Sequence, residues 1–327
     1  MKNLRTKIST IYKNFPAYIK RYIWPLPKFK KQVVVMIDGT QCHGGLTDRF
    51  RHIMSIYSYC KENNLKFRLF YNYPCNLQLL LRPNKYDWRI QKKEISYNYF
   101  DYKELYLYVE VAKGEKYLST TTINNNNNNH LNILSKELSK KDKTQYHIYG
   151  NTYFAKGKYR ELFYELFTPT KYLKNRIELY RKQLYEPYEA ITLRFQQLLG
   201  DFKEGEYAIL SEKEKNTLIT KCTNKIDALY KEGYFSTKKI LVTSDSPTFL
   251  NEIQKSLPYV YIIPGKMEHM DFTNNDDLEM NSKSFIDLFL LSESQKLTLL
   301  RTGLMYPSGF PQFAAELGNK PYNEIIF

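Results

Sequence analysis

Apolar positions along this chain follow two series of alternating strand and helix patterns. The first series opens with Lys31–Asp38 (KQVVVMID), an apolar and β-branched run that predicts a buried strand. From Leu46 to about Asn63, apolar residues recur every three or four positions, which predicts a helix. Lys66–Tyr71 (KFRLFY) predicts the next strand. A strand, loop, helix and strand in this order are typical of a doubly wound α/β sheet.

The middle of the chain is less regular. Tyr106–Val111 and Tyr146–Tyr149 predict strands. The uninterrupted asparagine run Asn124–Asn129 predicts a loop, which we interpret as a neutral repeat expansion. Residues 156–184 predict a helical stretch with an interruption around Thr168-Pro169.

The second series begins near Tyr188 and predicts another parallel sheet. Its expected strands are Ala190–Phe195, Lys239–Thr243, Tyr259–Ile263 and a short one near Leu297–Leu300. Its expected helices are Leu210–Lys231, one from Ser246, Lys283–Ser292 and Phe310–Leu317. We therefore predict an α/β fold of two Rossmann-like domains facing each other across a cleft. They comprise residues 32–185 and 186–327, after an N-terminal arm of residues 1–31.

The net charge of +15 is concentrated in this arm. Residues 1–31 hold nine of the 49 basic residues and no acidic one, so the rest of the chain carries only +6 against its 34 acids. A basic total is typical of nucleic-acid-binding proteins, but no recognised nucleic-acid motif accompanies it here. We therefore expect no nucleic-acid partner.

The arm combines its bases with isoleucines and aromatic residues at partly helical spacing, broken at Pro16. This composition favours a segment that lies on an anionic membrane surface. A solvated tail, or a helix packed on the domain, is the alternative. The arm has no signal-peptide pattern, and no segment reaches the ~20 apolar residues of a membrane span. We expect a cytoplasmic protein, peripheral on the inner face of the cytoplasmic membrane.

The four cysteines form no CxxC pair, and the five histidines form no HExxH motif. Free thiols in a reducing compartment are the expectation. The chain also lacks an Asp-x-Asp pair, which commonly holds a divalent ion in one of the two large glycosyltransferase architectures.

The first candidate site is the loop Asp38–Arg49 (DGTQCHGGLTDR), at the carboxyl end of the first predicted strand. Open α/β sheets bind ligands at that end. Gly44 and Gly45 would let a substrate approach the backbone at a helix N-terminus. His43 and Asp48 add titratable groups, and a plain tight turn is the alternative.

The second candidate is Arg194, at the end of an otherwise apolar predicted strand. A cleft arginine needs an anionic partner, and both a phosphate and a carboxylate fit the guanidinium fork. The third is Thr243–Ser246, short polar residues that suit nucleoside recognition or, through Asp245 or Ser246, a helix N-cap.

The fourth candidate is Tyr306–Phe310 (YPSGF), which opens the last predicted helix. Ser308 and Gly309 at a helix start suit a phosphate cradle, because amide hydrogens and the positive dipole end point at the ligand. An N-cap with no ligand is again the alternative.

In this order, the motifs resemble the superfamily of GT-B fucosyltransferases: the α1,2-, α1,6- and protein O-fucosyltransferases and the nodulation fucosyltransferases. Gly44–Arg49 resembles the family's N-terminal Gly-Gly-Leu/Phe-x-Asn/Asp-Gln/Arg loop. Thr192–Arg194, with Gly200-Asp201 further on, resembles its His-x-Arg motif, with threonine in place of histidine and the Gly-Asp displaced by an insertion. The remaining matches are Leu241–Asp245, Asp287–Ser292, Ser308–Phe310 and Ala314–Glu316, so the resemblance touches about 32–90 and 185–327.

The resemblance implies an inverting, metal-independent transfer of fucose from GDP-fucose, with no cofactor. We expect a glycan or lipid-linked oligosaccharide acceptor, in bacterial surface-polysaccharide assembly. By carry-over, Arg194 binds the donor diphosphate and Asp245 holds guanine or ribose. The other donor-site candidates are Gly44, Gly45, Thr243, Ser308, Gly309 and Phe310.

Inverting transfer also needs a base for the acceptor hydroxyl. His43, Asp38 and Asp48 are candidates, as is Asp201, and the sequence does not separate them. His269 and Asp271 either line the nucleotide side of the cleft or form a polar turn.

Two alternative functions stay open. Because Thr192 departs from the family motif, a GT-B transferase could use another nucleotide sugar. From a different class, a basic nucleic-acid-binding protein or a non-catalytic adaptor would also carry a charge of +15.

Overall fold

The computed structural model describes residues 31–98, 100–108, 127–140, 144–184, 187–201, 208–265, 270 and 277–327. Residues 1–30 of the arm lie outside the described residues, as do His269 and Asp271. So do residues 109–111 of one predicted strand and 124–126 of the asparagine run.

The strands and helices of the described chain follow an alternating order. The strands are β1 (Gln32–Ile37), β2 (Lys66–Tyr71), β3 (Leu81–Pro83), β4 (Tyr102–Leu107), β5 (Gln145–Gly150), β6 (Phe167–Pro169), β7 (Glu189–Leu193), β8 (Ile240–Ser244), β9 (Val260–Tyr261), β10 (Leu297–Arg301) and β11 (Tyr322–Ile326). The helices are α1 (Leu46–Glu62), α2 (Asn127–Ser139), α3 (Tyr159–Leu166), α4 (Lys171–Leu184), α5 (Glu212–Lys231), α6 (Pro247–Ser256), α7 (Leu278–Glu293) and α8 (Gly309–Gly318).

The contacts divide the chain into two units. Unit 1 takes its described residues from 31–43, 51–71 and 86–155, and unit 2 from 44–50, 72–85 and 156–327. The contacts therefore group residues 156–184 with unit 2. The domain boundary at 185/186 stays a prediction.

The sheet of unit 1 is parallel, in the order β2-β1-β5-β4. All six residues of the central strand β1 are buried, as expected of a parallel strand covered on both faces. Its neighbour β2 pairs in register, with Val33 opposite Phe67. The predicted strand–loop–helix–strand unit is confirmed at its start.

Two predictions in the middle of the chain need correction. Strand β4 begins at Tyr102, four residues before the predicted start, because from Tyr102 onward it pairs residue by residue with the buried strand β5. Helix α2 begins at Asn127, so the end of the asparagine run is helical where we predicted a loop. Leu134, further along α2, is fully buried, and this packing overrides the low helix propensity of asparagine.

The sheet of unit 2 is also parallel, in the order β11-β10-β7-β8-β9. Its strands follow the prediction closely, except that β9 spans only Val260–Tyr261 and β11 was not foreseen. A small antiparallel pair, β3 with β6, lies apart from this sheet, and β6 forms the predicted interruption of the helical stretch at Thr168-Pro169.

Unit 2 has an aromatic core around Phe50, which explains why the start of α1 groups with it. The Phe50 ring lies 5.1 Å from Phe163, 5.4 Å from Phe167 and 6.4 Å from Phe313, between centroids. All four side chains are fully buried. Such edge-to-face and offset pairs stabilise a core beyond their buried area.

Helices α7 and α8 meet closely where Gly318 contacts the backbone of Ser292. A Cβ atom on Gly318 would overlap the Ser292 carbonyl oxygen. Only glycine therefore fits at this crossing. Among the described helices, none has the length and apolarity to cross a bilayer.

Candidate functional site

Three loops of unit 2 meet at the carboxyl edge of its sheet. Arg194 is the first residue after β7, and its carbonyl accepts a hydrogen bond from the Tyr306 N–H at 3.3 Å, in the segment after β10. The Phe195 and Gln196 N–H groups each donate to Asp245, just after β8, at 2.8 Å. Ligands of open α/β sheets bind at this edge, so these contacts define the candidate donor site.

At this edge of the sheet, both carboxylate oxygens of Asp245 have polar partners. Phe195 donates to Oδ1 and Gln196 to Oδ2, while Arg194 Nε lies 3.5 Å from Oδ2. The Asp245 side chain is 1% exposed, whereas 19% of the Arg194 side chain is exposed. Burial raises the pKa of Asp245 above its usual value, against the opposing effect of Arg194 and the two amides.

The threonine that stands where the family has histidine pairs with a second threonine. Thr192 Oγ1 lies 2.9 Å from Thr243 Oγ1, across neighbouring strands β7 and β8. Both residues are buried. The structure thus brings two sequence candidates together, but their hydroxyl groups bind each other.

Asp201, one of the candidate bases, anchors the start of α6. Its carboxylate accepts the Ser246 hydroxyl, the Thr248 hydroxyl at 2.8 Å and the Thr248 N–H at 3.2 Å. Ser246 is the N-cap of α6, since its Oγ accepts the Phe249 N–H at 3.0 Å. Of the two N-cap candidates in Thr243–Ser246, the structure selects Ser246.

Ser308 is the N-cap of α8, and Gly309 is the first residue of that helix. The Ser308 Oγ accepts the Phe310 N–H at 3.3 Å, and Ser308 is 8% exposed. The N-cap interpretation is confirmed. An N-cap leaves other amides of the first turn directed out of the helix, so it is compatible with an anion there.

The first candidate loop is divided between the units. Gly44, Gly45 and Asp48 belong to unit 2, together with Arg49. Gly44 has φ +73, and a Cβ there would lie 3.2 Å from the Asp48 Cβ. Arg49 is fully buried and donates from Nε to the Gly44 carbonyl at 2.9 Å. Within unit 2 this stretch is a tight turn held by a buried arginine.

Asp38 and His43 lie in unit 1, at the carboxyl end of β1. Asp38 accepts the Thr40 N–H at 3.0 Å, the Thr40 hydroxyl at 2.7 Å and the Tyr149 hydroxyl at 3.2 Å. His43 Nε2 is 3.8 Å from Asp38 Oδ1 and accepts the Gly39 N–H at 3.2 Å. Burial alone would raise the pKa of Asp38, but the nearby His43 and the hydrogen bonds from Thr40 outweigh it and lower the pKa. Asp38 is therefore an ionised carboxylate, 11% exposed.

Tyr149 connects the Asp38 carboxylate to a cluster of tyrosines that the sequence pattern did not reveal. The Tyr149 ring stacks on Tyr106 at 5.5 Å and on His43 at 6.3 Å. Tyr106 and Tyr102 donate their hydroxyls to Glu104 at 2.6 and 3.1 Å. The signal was the position of Tyr106 and Tyr149 near the ends of two strands, but 30 tyrosines in the chain obscured it.

Two surface cavities of unit 2 lie away from the candidate donor residues. One of about 830 Å³ is lined by Tyr188 and Gln295, and one of about 740 Å³ by Thr302 and Phe327. Neither is lined by Arg194. The loop contacts, and not these cavities, mark the candidate site. Within the described residues, no three His, Cys, Asp or Glu side chains are grouped as metal ligands would be.

No protein-family model matches this chain, and no curated protein matches its sequence. Solved structures do match its fold. The α1,6-fucosyltransferase NodZ soaked with GDP-fucose aligns with a TM-score of 0.55 and 11% identity, over 88% of this chain and 93% of that chain. NodZ from Bradyrhizobium aligns with a TM-score of 0.53 and 11% identity, over 87% and 92%. POFUT1 in complex with GDP aligns with a TM-score of 0.51 and 12% identity, over 93% and 99%.

At these identities the likeness concerns the fold. Among the described residues, the two larger sheets are parallel and their strands alternate with helices, as the sequence predicted. The chain therefore has the α/β fold of the GT-B fucosyltransferase structures to which it is similar.

Proposed function

We propose that this protein is a glycosyltransferase that transfers fucose from GDP-fucose, by inversion and without a metal ion. The observation that carries the proposal is Arg194, a partly exposed guanidinium at the carboxyl edge of unit 2, joined by backbone contact to the segment that leads into α8. The similar NodZ and POFUT1 structures contain GDP-fucose or GDP, which supports this choice of donor.

The chemistry requires a positive group at the leaving diphosphate. When the bond between the sugar and the diphosphate breaks, negative charge grows on the diphosphate oxygens. A preorganised guanidinium stabilises that charge in the transition state, and amides of a helix N-terminus act in the same way. Arg194 and the first turn of α8, after its cap Ser308, supply these two elements in unit 2.

We assign the acceptor base to Asp38. Its carboxylate is ionised and oriented by Thr40 and Tyr149, and part of it reaches solvent. His43 is 1% exposed, and its Nε2 already accepts a backbone N–H. Its imidazole is therefore less available to an acceptor hydroxyl than the Asp38 carboxylate. Asp201 lies in unit 2 and accepts its hydrogen bonds from Ser246 and Thr248 at the start of α6, so we assign it the structural role of anchoring that helix.

For the acceptor, we propose a glycan or lipid-linked oligosaccharide of a bacterial surface polysaccharide. The nine bases of the arm would hold the enzyme on the inner face of the cytoplasmic membrane, where lipid-linked acceptors reside. Deleting residues 1–31 should release the protein from vesicles that contain anionic lipid. Unchanged sedimentation with those vesicles would refute this localisation.

A nucleotide panel tests the donor proposal. Thermal unfolding is measured with GDP, UDP, CMP and dTDP in the presence of EDTA. A ligand at 100 times its Kd stabilises the folded state by about 2.7 kcal/mol, so binding is visible as a raised Tm. We expect a shift with GDP alone. A raised Tm with another nucleotide in place of GDP would favour the alternative function, a transferase for a different nucleotide sugar. The Thr192–Thr243 pair, at the position where the motif has histidine, supports that alternative.

A further inference from the structure

We propose that Asp245 is a positioning residue for Arg194, and not a ligand for the guanine or ribose of the donor. This inference rests on the proposed function, in which Arg194 binds the diphosphate. It replaces the nucleoside role that the motif resemblance implies for Asp245.

The Asp245 carboxylate already has several polar partners within the protein. Phe195 and Gln196 each donate a backbone N–H at 2.8 Å, one to each oxygen, and Ser244 Oγ lies 3.4 Å from Oδ1. Arg194 Nε lies 3.5 Å from Oδ2. With a side chain that is 1% exposed, Asp245 offers no surface on which a base or a ribose could lie.

Asp245 also holds the loop after Arg194 in an uncommon backbone conformation. Gln196 has φ +51, a left-handed conformation that residues other than glycine rarely adopt. Such a conformation persists only where the surroundings over-determine it, and it is concentrated at functional sites. Here the N–H of Gln196 itself is bound by Asp245 Oδ2. The carboxylate therefore fixes the turn that directly follows Arg194.

The loop after Arg194 is fixed at both ends to the same segment. Asp245 binds its start, while Asp201, at its far end, accepts bonds from Ser246 and Thr248. Residues 195–201 are thus held by two carboxylate anchors against the β8–α6 turn. Such a support keeps a guanidinium at one place and in one orientation, which a preorganised electrostatic site requires.

The contact between Asp245 and Arg194 orients the guanidinium without covering it. The Nε–Oδ2 distance of 3.5 Å exceeds the 2.7–2.9 Å typical of a charge-assisted hydrogen bond. Asp245 also faces Nε, the guanidinium nitrogen nearest the backbone. The negative charge thus orients the guanidinium while 19% of the Arg194 side chain stays exposed for an anion.

A double-mutant cycle on the full chain tests the proposal, with Asp245→Asn, Arg194→Ala and the double variant. Turnover of GDP-fucose and the Kd values of GDP and guanosine are measured for each. We expect Asp245→Asn to weaken GDP binding and lower kcat by roughly tenfold or more, with guanosine binding unchanged within about twofold. In the Arg194→Ala background, the same substitution should have almost no further effect, because coupled residues are not additive.

Two results would overturn the positioning role. The first is an equal loss of affinity for guanosine and GDP in Asp245→Asn. The second is a double variant whose loss of kcat and GDP affinity equals the product of the fold-losses in the two single variants. If the asparagine variant does not fold, Asp245→Glu retains the charge and enters the same cycle with the same expectation.

Failure of the proposed function is distinguishable from failure of this inference. A wild-type protein that binds neither GDP nor GDP-fucose refutes the function. Denaturation midpoints of the same four proteins then report whether Arg194 and Asp245 are coupled, without any nucleotide. GDP binding combined with independent effects refutes the positioning role alone.

Discussion

Acid should destabilise unit 1 through His52, a histidine of helix α1 with 1% of its surface exposed. Burial lowers the pKa of His52 from 6.5 to about 3, and the neighbouring His43 and His130 add to this effect. The folded protein therefore keeps His52 neutral at a pH where the unfolded chain already binds the proton. The stability due to neutral His52 is complete above pH 6.5 and is lost as the pH falls toward 3.

The size of this loss follows from linkage. Between the two pKa values the unfolded chain binds one more proton, so the free energy of unfolding falls by about 1.4 kcal/mol for each pH unit. From pH 6.5 to 4.5 this amounts to about 2–3 kcal/mol. That is a large part of the roughly 5–15 kcal/mol by which a domain is stable.

The assay is denaturant unfolding from pH 7.5 to 4.5 at constant ionic strength, followed by tryptophan fluorescence. Trp88 is buried in unit 1, and Trp24→Phe makes it the sole reporter because the chain has two tryptophans. His52→Gln should flatten the pH dependence by the amount above, since glutamine does not titrate. Ile56→Val, also on α1, is the matched control: it should lower stability by about 1 kcal/mol at every pH and leave the slope unchanged. Equal slopes in wild type and His52→Gln would refute the reasoning.

Three further predictions concern the site and its support. Arg194→Ala should lower kcat by roughly 10²–10³ with the circular dichroism spectrum retained, and near-normal turnover would remove it from the diphosphate site. Asp38→Asn should lower kcat by about 10² or more, with GDP affinity unchanged, and an unaltered kcat would exclude it as the base. Gly318→Ala should cost about 1–3 kcal/mol in urea unfolding, because the added Cβ overlaps the Ser292 carbonyl oxygen. Gly303→Ala, with open space around it, should stay within about 0.5 kcal/mol, and equal effects of the two would contradict the close contact.

The sequence predicted the fold well where the apolar pattern is strong. β1 and β2 are continuous buried or alternating runs, and helix α1 begins at the predicted Leu46. It failed where tertiary packing overrides local preference. Asparagines open helix α2 because Leu134 and Leu138 are buried further along it.

The sequence indicated which residues form the site but not the contacts among them. Polar residues after β7 and β8 predicted the carboxyl edge of unit 2, and the structure brings Arg194 and Asp245 together there. A carboxylate after a strand can face a ligand or bind the next loop, and periodicity does not distinguish the two. The choice depends on the amides of Phe195 and Gln196, whose approach is a property of the folded chain.

The proposed activity requires that the protein cleave the sugar–diphosphate bond of GDP-fucose without a metal. The direct test is incubation of the full chain with GDP-fucose and EDTA, followed by quantification of released GDP. We expect slow GDP release by the wild type through transfer to water, and loss of that release in Arg194→Ala. Absence of both GDP release and GDP binding in the wild type, with another nucleotide bound in its place, would contradict it.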